Sequence, residues 1–318
     1  MKYKKYYKIK INFFLFFKFI NFLLILFGMF CIIFFNEKNI KTAICLIIKQ
    51  ENRYIKEFVD YYKKLNINKI FLYDNNDING EQFEDILSNF IKLNFVEIIN
   101  YRGKYKPQFQ AYSHCYINNS KDFNWIAFFD ADEYLYIHFH KDINQFLSLY
   151  KFRKCSSIVI NWKNYGDNDK IYYEPRPLKE RFTKPFYFNK KKKNKLKSAG
   201  KTIVRTGLNL SWAHFPHYLK NKPICRPNGR ILKNYFSPPQ YWSAYIKHYA
   251  TKSTEEFIER LIRGTVHSKQ NSDYLKLKIK DYYFVFNKFS NEKKIMFEEK
   301  FNIKLYKNKL IKYKNKKL

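Results

Sequence analysis

The chain has 318 residues, 46% of them hydrophobic and 20% aromatic, which is enough for a sizeable core and excludes global disorder. Its 61 Lys and Arg against 27 Asp and Glu give a formal net charge of +34. The basic residues are spread along the chain, with local clusters at 189–197 and 303–317, and no Cys/His zinc finger or RRM aromatic motif accompanies them, so specific nucleic-acid binding is not indicated.

Lys2, Lys4, Lys5, Lys8 and Lys10 form a basic tail over 1–10. An apolar segment, 11–35, follows, interrupted by Asn12, Lys18 and Asn21. Its length and the lack of an A-x-A-like cleavage site predict an uncleaved, single-pass membrane anchor, with the side of the membrane left open. The five cysteines, Cys31, Cys45, Cys115, Cys155 and Cys225, include no C-x-x-C pair. They are expected to be mostly buried free thiols rather than a zinc site or a disulfide framework.

Beyond a short junction, Thr42 to Ile48 has the composition of a buried first strand. A polar loop, Lys49 to Asn52, leads into a helix with Tyr54, Ile55, Phe58, Val59, Tyr62 and Leu65 on one face. Ile70 to Tyr73 is a second strand, closed by Asp74-Asn75-Asn76-Asp77. Phe83, Ile86, Leu87, Phe90 and Ile91 mark a second helix, and Phe95 to Ile99 a third strand. Pro107 opens a third helix with Phe109, Tyr112 and Tyr116 on one face. A fourth strand, Trp125 to Asp130, ends in Asp130-Ala131-Asp132-Glu133. Later strands are expected at Ser156 to Trp162 and Lys201 to Arg205, and a helix capped by Ser253 or Thr254. Three strand–helix units before a fourth strand predict an α/β fold with a doubly wound, mostly parallel sheet. The expected organisation is one α/β domain over 40–290, with a basic helix or tail over 291–318.

Acids crowded at a strand end repel one another unless a cation or hydrogen-bond donors compensate. The C-terminal edge of such a sheet is where ligands bind. The carboxylates of a D-x-D there can hold Mg²⁺ or Mn²⁺, which neutralises a diphosphate. Polar clusters after the first and second strands fall on that same edge.

Six segments, in order, resemble glycosyltransferase family 92 and its bacterial family-2-like relatives with the GT-A fold. Lys49-Gln50-Glu51-Asn52 with Tyr54-Ile55 resembles the opening K-N-E loop and helix, with Gln50 where Asn is usual. Tyr73 to Asp77 resembles the Y-D-N turn without its Ser, and Gln110 with Cys115 fits the third helix. Trp125 and Asp130 to Glu133 fit the W-x-x-x-x-D-x-D-E signature. Trp162 with Tyr165-Gly166 fits W-x-x-F-G, and His248, Tyr249, Lys252, Ser253, Glu256, Arg263 and Gly264 resemble the closing segment.

The resemblance implies transfer of a sugar from a nucleotide donor, UDP above all, to a glycan or glycolipid, with inversion and with Mn²⁺ or Mg²⁺ as cofactor. Asp132 is then the direct metal ligand, Asp130 a ribose or water-mediated metal contact, and Glu133 structural. His248 is a third metal ligand or a phosphate contact, with His214 and His217 as rivals. Glu51, Asn52, Asp74 and Lys252 are nucleotide contacts, and Arg263 a phosphate contact; a helix cap at Glu51 or Asn52 and an Asx turn at Asp74 are the structural alternatives. The general base is open among Asp167, Asp169, Glu174 and Glu180. Two other functions compete: a nucleotidyltransferase, which the glycine-free Lys49 to Asn52 loop disfavours, and a non-catalytic membrane-surface or polyanion-binding protein, which has no need of acids at strand ends.

Overall fold

The computed structural model describes residues 18–24, 40–186, 200–209, 212–214, 218–219, 221–233, 238–264, 279, 290–301, 304–306 and 309–311. The strands are β1 (Thr42–Ile48), β2 (Lys69–Asp74), β3 (Val96–Asn100), β4 (Trp125–Phe128), β5 (Glu133–Ile137), β6 (Ser157–Asn164), β7 (Gly200–Arg205), β8 (Trp212–His214), β9 (Tyr218–Leu219), β10 (Ile224–Cys225) and β11 (Ala244–His248). The helices joining the first four are α1 (Asn52–Lys64), α2 (Glu84–Lys92) and α3 (Gln108–Asn119).

One nine-stranded sheet runs β3-β2-β1-β4-β7-β6-β11-β5, with β10 beside β6. β3, β2, β1 and β4 are parallel. β7 is antiparallel to both β4 and β6. β11 is parallel to β6 and antiparallel to β5. The expected doubly wound, mostly parallel sheet is therefore present. Its direction has a consequence for the site: the C-terminal ends of β1, β2, β4, β6 and β11 share one edge with the first residues of β5 and β7.

Strand alternation divides the core. Ile44, Leu46 and Ile48 pack with Ile55, Phe58 and Tyr62 of α1, whereas Ala43, Cys45 and Ile47 pack with Ala111, Tyr112 and Cys115 of α3. Two-sided cover is why β1 is buried at every position. Of the residues expected on one face of α3, Tyr112 and Tyr116 are buried, together with Ala111 and Cys115, whereas Phe109 is 52% exposed.

Later in the chain, α4 (Ile143–Leu147) and α5 (Leu178–Arg181) are short. α6 (Thr254–Arg263) carries a Ser253–Glu256 capping box, as its sequence implies, and stops at Gly264 with φ 82°. α7 (Asn291–Phe301) packs on α6 through Phe257 and Phe297. Beyond it, β12 (Lys304–Tyr306) and β13 (Lys309–Ile311) pair as antiparallel strands where a frayed helix or tail is expected.

Two further expectations need correction. Among the described residues no helix is long and apolar enough to cross a membrane, so the anchor over 11–35 is not upheld. Residues 18–24, the part of that segment the structure describes, are helical. Residues 11–17 and 25–35 lie outside the described residues. The cysteines are not free thiols: Cys45 is bonded to Cys115 and Cys155 to Cys225, each pair 70 residues apart. Alternation aims Cys45 at the buried face of α3, and β10 lies beside the start of β6, which brings Cys225 to Cys155. Cys31 lies outside the described residues.

Candidate active site

The acids occupy a tight turn between β4 and β5, closed by the Glu133 amide donating to the Asp130 carbonyl at 3.0 Å. β5 then pairs with β11 in the register that sets His248 opposite Glu133. His248 thus reaches the acids on a strand. Asp132, Glu133 and His248 are all buried. One ligand atom from each lies within 4.8 Å of the others. His248 Nε2 is 3.8 Å from Asp132 Oδ1 and 3.9 Å from Glu133 Oε1.

Those two carboxylate oxygens have no hydrogen-bond partner, although both are buried. Buried carboxyl oxygens left without a partner are costly. Burial, partly opposed by Asp132, pushes the His248 imidazole down to about 4, so it is neutral near pH 7 and cannot serve as their counter-charge. Two carboxylates and a neutral imidazole converging at this spacing form a donor set suited to a divalent cation. Burial pushes Glu133 well above the usual carboxylate range, with Lys201 opposing. Burial alone would raise Asp132 too, but the cations around it, Arg260 above all, with Lys252 and Lys201, outweigh it and hold this carboxyl well below its ordinary value.

Asp130 stands apart from the group. It is held by Lys201 Nζ at 2.8 Å with its side chain 40% exposed. Lys201 is buried, and Asp130 and Glu133 overcome the effect of burial to raise its ammonium above the ordinary lysine value. It is the second residue of β7, next to Gly200, where a glycine is required: a Cβ there would lie 2.2 Å from the Ile160 carbonyl oxygen. Glu133 accepts the Asp130 amide through Oε2, as a structural role implies, yet presents Oε1 to His248.

Beside this group, a cleft of about 550 Å³ opens between the loop after β1 and α6. Lys49, Lys252, Arg260 and Arg263 line it, together with Glu51 and Asp77. Arg260 Nη1 donates to Asp132 Oδ2 at 3.1 Å and links the cleft to the acids. Glu51 precedes α1 without capping it; its carboxylate meets Arg263 and lies 3.5 Å from Lys252. Burial is outweighed by those two cations, and Glu51 titrates below its ordinary value. Lys252, at φ 50°, sits over the Tyr54 ring at 3.5 Å. Asn52 begins α1 with its amide nitrogen on the Gln82 carbonyl, and its Oδ1 is buried without a partner.

Other candidates are engaged elsewhere. Asp74 forms the Asx turn with the Asn76 amide and pairs with Arg102 at 2.7 Å. Asp167 is bound by Lys293 of α7 at 2.6 Å, and Asp169 lies 3.7 Å from the same ammonium. Glu174 pairs with Lys170 and Arg176, and Glu180 is exposed on α5. His214 lies on β8, and His217 lies outside the described residues.

Sequence reasoning missed Lys201, Arg260 and the ligand-facing oxygen of Glu133. Among 61 Lys and Arg, a single buried one carries no visible mark. The one available signal was Lys201 at the head of a predicted strand bordering the acidic edge.

The chain is similar to several known proteins. A glycosyltransferase family 92 protein of Arabidopsis thaliana is 29% identical over 102 residues, covering 32% of this chain and 17% of its own length. One from Ricinus communis is 25% identical over 102 residues, covering 32% and 18%. The chain therefore matches less than a fifth of the length of these relatives. Among solved structures, S. aureus TarS 1-349 in complex with UDP-GlcNAc is 14% identical over 76% of this chain and 71% of that one, with a TM-score of 0.37. The mannosyltransferase PcManGT from Pyrobaculum calidifontis, in complex with GDP-Man and Mn2+, is 10% identical over 48% and 49%, with a TM-score of 0.29. At such scores the fold assignment rests on the strand order itself. The family model for glycosyltransferase family 92 matches residues 41–304, and the chain belongs to that family.

Proposed function

We propose that this glycosyltransferase moves a sugar from a nucleoside-diphosphate donor to a glycan or glycolipid acceptor, with Mn²⁺ or Mg²⁺ held by Asp132, Glu133 and His248. The observation that carries the reading is the convergence of two orphaned buried carboxylate oxygens on the Nε2 of a neutral histidine. UDP as the nucleotide and inversion as the stereochemical course follow from the family resemblance. When bound, a divalent cation supplies charge stabilisation to the departing diphosphate.

The chain's own groups do the rest. Asp132 and Glu133 direct one oxygen each at the cation position. Arg260 holds the second oxygen of Asp132 and borders the cleft, where its guanidinium is placed to meet phosphate oxygens. Lys252 and Arg263 add positive charge at the same wall, tempered by Glu51. Asp130, half-exposed and steadied by Lys201, faces outward as an acceptor for a ribose hydroxyl. Asp74 supports the floor of the nucleotide site through Arg102 rather than contacting the donor.

A screen of sugar nucleotides, read by release of the nucleoside diphosphate with Mn²⁺ present, tests this. Wild-type protein should release product from at least one donor, and Asp132→Ala should abolish release while keeping the native circular dichroism spectrum. Equal activity in the variant would remove Asp132 from the mechanism.

A further inference from the structure

His248 is gripped by β6 through contacts that the metal position does not itself require. Its Nδ1 lies 2.9 Å from Asn164 Oδ1. An amide oxygen only accepts, so Nδ1 carries the proton. The lone pair of the neutral ring is then on Nε2, the atom aimed at Asp132 Oδ1 and Glu133 Oε1. The parallel register of β6 and β11 sets Asn164 and His248 directly opposite each other. Trp162, two residues earlier on β6, stacks on the imidazole with centroids 4.5 Å apart and planes 27° apart. Ring plane and ring tautomer are thus fixed by one strand. Without the Asn164 acceptor the ring would do better to donate from Nε2 to either orphaned oxygen, and the lone pair would move to the far side.

We propose that Asn164 is a positioning residue that sets the His248 tautomer and so presents Nε2 to the divalent cation. This rests on the metal-dependent reading given above. Partners of this kind, which hold the second nitrogen of a ligating histidine, typically change metal affinity about 10–100-fold when removed.

Two readouts on the full chain test the proposal. The first is the ¹⁵N chemical shifts of the His248 ring in histidine-labelled protein without metal. The second is Mn²⁺ affinity by calorimetry. Wild type should show a protonated Nδ1 and a bare Nε2. Asn164→Leu should reverse the tautomer and weaken Mn²⁺ about 10–100-fold. Asn164→Asp keeps an acceptor and should restore both the tautomer and an affinity within about threefold of wild type. An unchanged tautomer or affinity in Asn164→Leu overturns the proposal, as does failure of Asn164→Asp to restore them. If Asn164→Leu does not fold, Asn164→Asp decides: wild-type tautomer and affinity support the proposal, and their loss overturns it. A tautomer that reverses as expected in a protein that never binds Mn²⁺ would overturn the metal reading instead.

Discussion

Gln50 shows how a single residue can be read from both ends. It stands where the resembling family usually has Asn, and its backbone adopts φ 54°. That left-handed region admits Gly and Asn readily and penalises other side chains by about 1–2 kcal/mol. The conformation is imposed by the loop: the Gln50 amide donates to Asn76 Oδ1 and its carbonyl accepts from Arg263. Gln50→Gly should therefore stabilise the fold by about 0.5–1 kcal/mol after Gly's own entropic cost is subtracted. The urea midpoint measures this, and an unchanged or lower midpoint would show that the loop is not strained at this residue. At the same scale, Asp132 and His248 were legible because a D-x-D and an isolated histidine fell in motif order. The split duty of Glu133 was not, since one oxygen takes a backbone amide and the other faces His248, a division only coordinates reveal.

At the scale of elements, α6 is anchored from beneath by one buried ion pair. Glu256 meets Arg181 at 2.7 and 3.0 Å, accepts the Tyr54 hydroxyl at 2.6 Å and closes the Ser253 cap. This joins α6, α5 and α1, and fixes the wall that carries Arg260 and Arg263. Glu256→Ala leaves the Arg181 guanidinium buried without its carboxylate, with only the Arg176 carbonyl still accepting from Nε, a loss on the scale of 3–5 kcal/mol, roughly, for broken buried pairs. The pH dependence has a definite sign. Burial would raise the Glu256 carboxyl, but its bonds to Arg181, Ser253 and Tyr54 outweigh this and lower it from 4.5. A carboxylate depressed on folding stabilises the protein fully above its unfolded value and ceases to do so as pH falls through the lower folded value. The urea midpoints of wild type and Glu256→Ala should thus lie far apart at pH 7 and approach each other below pH 4.5. A gap independent of pH would mean that the carboxylate charge is not what anchors the helix. Ser253 and the acids after it made this helix readable, whereas Arg181, from a loop-rich stretch 75 residues away, gave no sign of being its partner.

The whole molecule was legible where periodicity is strong. Three strand–helix units and the D-x-D strand are legible from their apolar spacing, most clearly β1, β2 and β4, which are buried at nearly every position. The strands from β5 onward were not all seen. β5 and β11 are short, and their pairing to each other depends on residues more than 100 positions apart. The two disulfides escaped for a similar reason: each joins residues 70 apart with no local spacing motif, although closing loops of that length restricts the unfolded chain by about 4 kcal/mol each in the chain-entropy model. The apolar amino-terminal run reads as an anchor from its hydropathy, yet among the described residues no helix is long and apolar enough to span a membrane. What unites the described fold is the shared sheet edge, where a turn after β4, the end of β11 and the head of β7 bring Asp132, Glu133, His248 and Lys201 together. The central claim is that this edge holds a divalent cation. Calorimetric titration of the full chain with Mn²⁺ tests it most directly, with Glu133→Gln and His248→Ala in parallel. The account predicts one site in the wild type, weakened at least about tenfold in each variant; no saturable binding in the wild type, or equal binding in all three proteins, would contradict it.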